Sequence, residues 1–253
     1  DTGNCEITTY AYATGIETKK VNGAVKATAV NYRDRSGKAH TVKSDYVAVA
    51  CGAVETPRLL LNSEITSNGL VGKNFMETVF YEAVAFHPER CDSYRGVPID
   101  SVIWKWNSSD PERGFDGGLR LFATAGSASG PLNYALRYFD GWGSEFTDQI
   151  EKWFGHAVGV GGISEFMPNE KTFVAVDPEV KDQFGMPVAK IQSFLGQNEL
   201  KSLEFMAGKI GEILESSGAG EVVEKVSAYD LFAATKVYGT CSMGEKPERS
   251  VVD

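Results

Sequence analysis

Several common signatures are missing from this sequence. In 253 residues there are four cysteines and three histidines. Cys5, Cys51, Cys91 and Cys241 are far apart and form no C-x-x-C. That excludes a zinc ribbon and a dithiol redox motif. His40, His87 and His156 have no metal-ligand spacing. The longest apolar run, Tyr46 to Val54, passes through Gly52 and falls far short of the ~20 residues of a membrane-spanning helix. Basic charge is scarce: Lys and Arg total 25 against 34 Asp and Glu, a net charge of -9. Such a chain repels nucleic acid and anionic membranes unless it has a local basic patch. The sequence shows only the Lys19-Lys20 dipeptide at an expected hairpin. There is no P-loop, H-E-x-x-H or G-x-S-x-G motif. Gly159-Val160-Gly161-Gly162-Ile163-Ser164 is not a phosphate loop, because Ser164 replaces the third glycine and a strand pattern follows. It reads as a strand in close backbone contact.

What is present is ordinary globular material, 42% hydrophobic and 23% charged. Cys5–Tyr10 and Ala13–Thr18 read as extended. Asn22-Gly23 is a hairpin signal. Val25–Tyr32 and His40–Val42 complete an antiparallel meander. Tyr46–Ala50 is a continuous apolar run, which predicts a strand buried on both faces. The small residues Gly52 and Ala53 follow it, then a helix with Thr56 as N-cap and Pro57 in its first turn. Val79–His87 and Ser101–Trp106 read as strands, and 107–143 as a long irregular stretch. Ser144–Phe154 reads as a short helix capped by Ser144, and Val158–Phe166 and Thr172–Val176 as strands. Asn198–Ser217 is the clearest helix, with Leu200, Leu203, Ala207, Ile210 and Leu214 on one stripe and Gly218 as terminator. The predicted class is α/β (α+β).

Two segments are far more specific. One is Ala50-Cys51-Gly52-Ala53-Val54-Glu55-Thr56-Pro57-Arg58-Leu59-Leu60-Leu61-Asn62-Ser63, with Val71-Gly72-Lys73-Asn74-Phe75-Met76 after it. The other is Gly239-Thr240-Cys241-Ser242-Met243-Gly244, with Ser250-Val251-Val252-Asp253 after it. In this order they resemble the glucose–methanol–choline (GMC) family of FAD-dependent oxidoreductases, in the branch of sugar and gluconate dehydrogenases and pyranose oxidase. The segment from Met167-Pro168-Asn169 to Asp182-Gln183-Phe184-Gly185-Met186-Pro187 also looks like that branch, at the place where its members carry a substrate-domain strand pair. The resemblance covers nearly the whole chain and is weakest over 92–155.

That resemblance implies a partial FAD-binding, Rossmann-like domain at 1–72 and a substrate domain at 73–232, a mixed or antiparallel sheet backed by helices. Residues 233–253 would return to the FAD-binding domain. Gly52 and Ala53 would lie beside the flavin, Asn74 near the isoalloxazine, and the Ala13 backbone against adenine; no metal is implied. In the family a histidine takes the proton of an alcohol while hydride passes to the flavin. Three residues before Gly239-Thr240 this chain has Lys236. A lysine serves as base only when desolvation lowers its pKa; otherwise it holds an anionic group. Trp104, Trp106, Tyr134 and Trp142 are candidates for stacking on a sugar, or for core packing.

The resemblance also implies an alcohol or sugar substrate, and an acceptor subunit or small-molecule acceptor. No nucleic acid or membrane insertion is expected. Localisation, cytoplasmic or periplasmic, stays open. The first residue is Asp, with no signal pattern behind it, and the last is Asp253. An internal fragment is expected, with the dinucleotide fingerprint before Asp1 and a further catalytic His or Asn after Asp253. The rival reading is a catalytically degenerate homologue that binds a carbohydrate or a partner protein, and Lys236 is its main support.

Overall fold

The computed structural model describes residues 2–124, 130–231 and 236–252. The chain forms two compact units, one of Asp1–Met76, Pro168–Phe194 and Val237–Asp253, the other of Glu77–Met167 and Leu195–Lys236. Compared with the expected partition, Pro168–Phe194 joins the first unit. The expected boundary at 232–233 lies outside the described residues.

The first unit begins with the meander β1 (Tyr12–Val21), β2 (Ala24–Arg33) and β3 (Ala39–Lys43), paired antiparallel in that order. Asn22 and Gly23 turn β1 into β2 with φ of 52° and 82°. Positive φ at both central residues matches the right-handed twist of the strands. Helix α1 (Gly52–Asn62) follows. Ser63 ties its end to the meander, donating to the Leu59 carbonyl at 2.7 Å and accepting from the Ile16 amide at 2.9 Å.

Three local expectations for this unit are corrected. Residues 5–10 are exposed and form no strand. Tyr46–Ala50 is not a doubly buried strand either: Tyr46 is 91% exposed, and no described strand pairs with the segment. A strand is buried on both faces only where neighbours cover both. Thr56 is not the N-cap of α1. The helix begins four residues earlier, and the Thr56 hydroxyl accepts from the Cys51 amide at 3.0 Å.

The hairpin formed by β8 (Phe173–Lys181) and β9 (Pro187–Gln192) belongs to this unit because Arg58 fastens it to α1. The Arg58 guanidinium reaches Asp182 Oδ2 at 2.6 Å, the Pro187 carbonyl at 2.8 Å and Tyr12 Oη at 2.7 Å. Glu55, one turn earlier, adds an ion pair at 3.0 Å. A buried guanidinium is tolerated because its donors are all directed at oxygen atoms. The Tyr12 and Phe184 rings close the cluster, 4.7 Å apart.

The second unit is a five-stranded antiparallel sheet. Its strands are β4 (Val79–Phe86), β5 (Val102–Ile103), β6 (Leu119–Thr124), β7 (Ala157–Ser164) and β10 (Val222–Ser227), in the order β10-β4-β7-β6-β5. The glycine-rich 159–164 is a central strand, as its pattern predicts. A Cβ on Gly162 would fall 3.1 Å from Met206 Sδ and 2.5 Å from Leu121 Cδ2.

Helix α4 (Gln197–Ser216) packs on the sheet. Leu203, Met206, Ile210 and Leu214 are its buried stripe; Leu200 and Ala207 are only half-buried. Each buried side chain contributes roughly 1.5–3 kcal/mol of transfer free energy. Helices α2 (Pro131–Tyr138) and α3 (Gly143–Trp153) surround an aromatic core of Phe86, Tyr134, Tyr138, Phe139, Trp153 and Phe154. The expected irregular stretch 107–143 thus contains β6 and α2. The N-cap of α3 is Trp142 rather than Ser144.

Candidate functional site

The first unit brings together the two motifs that are some 180 residues apart in the sequence. The Gly72 amide donates to the Thr240 carbonyl at 2.8 Å. Met76 and Tyr238 exchange two backbone hydrogen bonds, at 2.9 and 3.0 Å. Thr240, 1% exposed, donates its hydroxyl to the Ala53 carbonyl at 2.7 Å. α1, the 71–76 segment and the 238–240 segment are therefore joined through backbone and one buried hydroxyl.

The chemistry of the join requires small residues. A Cβ on Gly239 would fall 2.0 Å from the Asn74 carbonyl oxygen. No side chain fits there, and Gly239 also has φ of +97°. Asn74 itself has φ of 57°, a conformation that Asn tolerates better than most residues. Gly52 opens α1 at φ of +76°, and a Cβ built on it meets no heavy atom within 4 Å. The N-terminus of α1 carries no side-chain cap, so its first amides are free of side-chain partners. The result is an exposed Gly52 beside a half-buried Ala53, at the positive end of a helix.

Gly52, Ala53 and Asn74 belong to this joined region. Ala13 lies on β1 opposite Tyr32, beside a bulge that separates it from the Gly15–Asn31 pair. Lys236 belongs to the second unit. Its side chain is exposed and its carbonyl accepts from Thr78 Oγ1 at 3.5 Å. Cys241, next to Thr240, is half-buried; burial raises its pKa and the Thr240 hydrogen bond only partly opposes that.

Of the four aromatic candidates for stacking or core packing, Tyr134 is a core residue, at 1% exposure. Trp106 packs edge-on against Phe205. Trp104 and Trp142 are exposed. Sequence reasoning missed Thr240 as a link and Pro57 as its enabler. A buried hydroxyl gives no periodic signal, and only the fold shows which carbonyl it meets. Among the described residues, no cluster of His, Cys, Asp and Glu could hold a metal ion, and no helix is long and apolar enough to cross a membrane.

The family model described as GMC oxidoreductase matches residues 2–79. A 2-methyl-1,2-propanediol dehydrogenase of Mycolicibacterium austroafricanum is 29% identical over 98% of this chain and 46% of its own length. The gluconate 2-dehydrogenase flavoprotein of Pantoea cypripedii is 22% identical over 90% of this chain and 40% of its own. The chain thus spans less than half the length of these curated relatives. Among solved structures, a formate oxidase of Aspergillus oryzae, studied for modification of its FAD, superposes with a TM-score of 0.63 at 13% identity, over 96% of this chain and 52% of that one. That likeness concerns the fold. Residues 2–79, which contain the first of the two joined motifs, match the GMC oxidoreductase model, and the chain is similar along most of its length to parts of these dehydrogenases.

Proposed function

We propose that this chain is part of an FAD-dependent oxidoreductase acting on the CH–OH group of an alcohol, sugar or polyol. The observation that carries the reading is the join at Ala53. It holds the exposed Gly52 and the half-buried Ala53 at a helix N-terminus, where backbone can approach a large planar group closely. The residues present fit such a cofactor. Gly52 has free space over it, and the positive end of α1 suits an electron-rich ligand. Gly52 and Ala53 would line the flavin, Asn74 would sit near its isoalloxazine end, and the Ala13 backbone would meet the adenine.

Bound FAD supplies a hydride acceptor. The chain's own part is to hold that acceptor and the substrate hydroxyl, exclude water and handle one proton. Lys236 stands at the family's proton-accepting position. Its ammonium is exposed, open to an anionic partner. We therefore assign Lys236 to holding an anionic or polar group of the substrate. Two relatives, a gluconate 2-dehydrogenase flavoprotein and a fructose dehydrogenase large subunit, support a sugar or sugar acid as substrate and an acceptor subunit as partner.

The test is the visible spectrum of the protein expressed from its complete reading frame, followed by dye reduction with a panel of alcohols and sugars. A well-folded product with no flavin absorbance would end this reading. The second reading, a degenerate homologue that binds a carbohydrate or a partner without redox chemistry, rests on Lys236 in place of histidine. Bound flavin with no turnover on any substrate, restored by Lys236→His, would favour it.

A further inference from the structure

In sequence, the basic residues near the start of the chain show only as the Lys19-Lys20 dipeptide. The fold adds to it. Lys19 on β1 stands directly opposite Lys26 on β2 in the antiparallel register. Lys43 ends β3 nearby, and the three line one cavity of about 810 Å³ with Val21, Thr28, Ser44, Asp45 and Tyr46. Among the described residues none of these three lysines forms an ion pair. Like charges set directly across a strand pair destabilise it. Here they do so on a chain whose net charge is -9.

The same cavity runs along an open strand edge. β3 pairs with β2 only from Ala29 to Arg33. One further hydrogen bond, from the Ser44 amide to the Thr28 carbonyl at 3.0 Å, ends the pairing. The chain then turns away, and the Ser44 hydroxyl donates to the Tyr46 carbonyl at 2.6 Å. Residues 24–27 of β2 thus pair with β1 on one side and with no described strand on the other. Val25, 60% exposed, and Tyr46, 91% exposed, give the margin apolar contact area.

An open strand edge, unpaired cations and apolar side chains at alternate positions are the elements of β-strand addition. We propose that this edge receives an extended acidic segment of a partner protein. The segment continues the sheet in the space that β3 leaves beyond Ser44, and its carboxylates neutralise Lys19, Lys26 and Lys43. A second copy of this chain does not fit, because a two-fold contact here would set the lysines of one hairpin against those of the other. A free phosphate would use the charge and ignore the edge.

The experiment is fluorescence anisotropy of the protein expressed from its complete reading frame with a labelled peptide of alternating Glu and Val, at low and at physiological salt. The peptide is expected to bind, more weakly as salt rises. The triple variant Lys19→Glu, Lys26→Glu, Lys43→Glu is expected to weaken binding at least about tenfold. All three side chains are exposed, and circular dichroism checks the fold; a triple Lys→Gln set replaces it should the Glu set fail to fold. The same peptide with alternate amides N-methylated is expected not to bind. No binding by the parent peptide, equal binding by the triple variant, or equal binding by the N-methylated peptide would overturn the proposal. Displacement of the peptide by inorganic phosphate at lower concentration than by unlabelled peptide would also overturn it, and would assign a simple anion site.

Discussion

Thr240 donates its hydroxyl to the Ala53 carbonyl at 2.7 Å, and that carbonyl is free because of Pro57. In an α-helix the Ala53 carbonyl would accept from the amide of residue 57. Proline has no amide hydrogen. Pro57, inside α1 and fully buried, thus leaves the acceptor of the half-buried Ala53 open, and a residue from the far end of the sequence fills it. A defect in the helix becomes the point where two segments are joined.

Thr240→Val keeps the shape of the side chain and removes the donor. It is expected to cost about 1–3 kcal/mol, because the Ala53 carbonyl is left without a partner. Urea denaturation measures the change, and Thr240→Ser should recover most of it. In a Pro57→Ala background the helix regains an amide for that carbonyl, so Thr240→Val should cost clearly less. Equal cost in both backgrounds would sink the account of Pro57.

Asp182 governs a pH dependence. Its burial acts to raise the pKa, but the Arg58 hydrogen bond and the Met186 and Phe184 amides prevail and hold it at about 2. An unfolded aspartate titrates near ~3.9. The group is depressed in the folded state, so its stabilisation is complete above the unfolded value. It is lost as pH falls through the window from about 4 to about 2. Asp182→Asn should therefore be less stable than the parent at neutral pH, with the gap narrowing through that window. Asp34, also depressed by its hydrogen bonds to Ser36 and His40, titrates in both proteins and cancels in the comparison. A gap that stays constant with pH would refute the assignment.

Ile210 tests the second unit. It is fully buried in the stripe of α4. Ile210→Ala is expected to cost about 2–5 kcal/mol through lost burial and the cavity left behind. Leu200→Ala, at a half-buried position, should cost less than half as much. Thermal denaturation of the two variants side by side decides it.

The parts of this structure that the sequence made legible are those governed by local pattern. Asn22-Gly23 fixes a turn type, the Leu203–Leu214 stripe fixes a helix face, and Gly159–Ser164 reads as a close-packed strand. Each needs only neighbours within a few residues. Tyr46–Ala50 misleads for the opposite reason. Its apolar run states a demand for cover on two faces, and only the tertiary structure says whether cover is present. The start of α1 is hidden in the sequence because Pro57 and Thr56 mimic a first turn, while the residue that satisfies the resulting gap, Thr240, is far away in sequence. Gly52, Ala53 and Asn74 carry only a motif resemblance in the sequence. That Asn74 lies against Gly239 required the fold.

Tyr134 supplies the last test. Its hydroxyl donates to the Trp153 carbonyl at 2.7 Å and accepts from the Ala157 amide at 3.0 Å. One phenol thus satisfies two backbone groups where α3 gives way to β7. Burial pushes its pKa up to about 12, against a smaller opposing effect of the Ala157 amide. An unfolded tyrosine titrates near ~10. The folded state therefore holds this proton more tightly, and its contribution to stability is present below pH ~10 and lost as pH rises toward about 12. In a spectrophotometric titration at alkaline pH, Tyr134→Phe should remove one late-titrating phenol and leave the earlier ones in place. The variant should also lose about 1–2 kcal/mol, since the Ala157 amide loses its hydroxyl acceptor while the Trp153 carbonyl keeps the His156 amide at 3.0 Å. Loss of an early-titrating phenol instead would show that Tyr134 is not buried in this way.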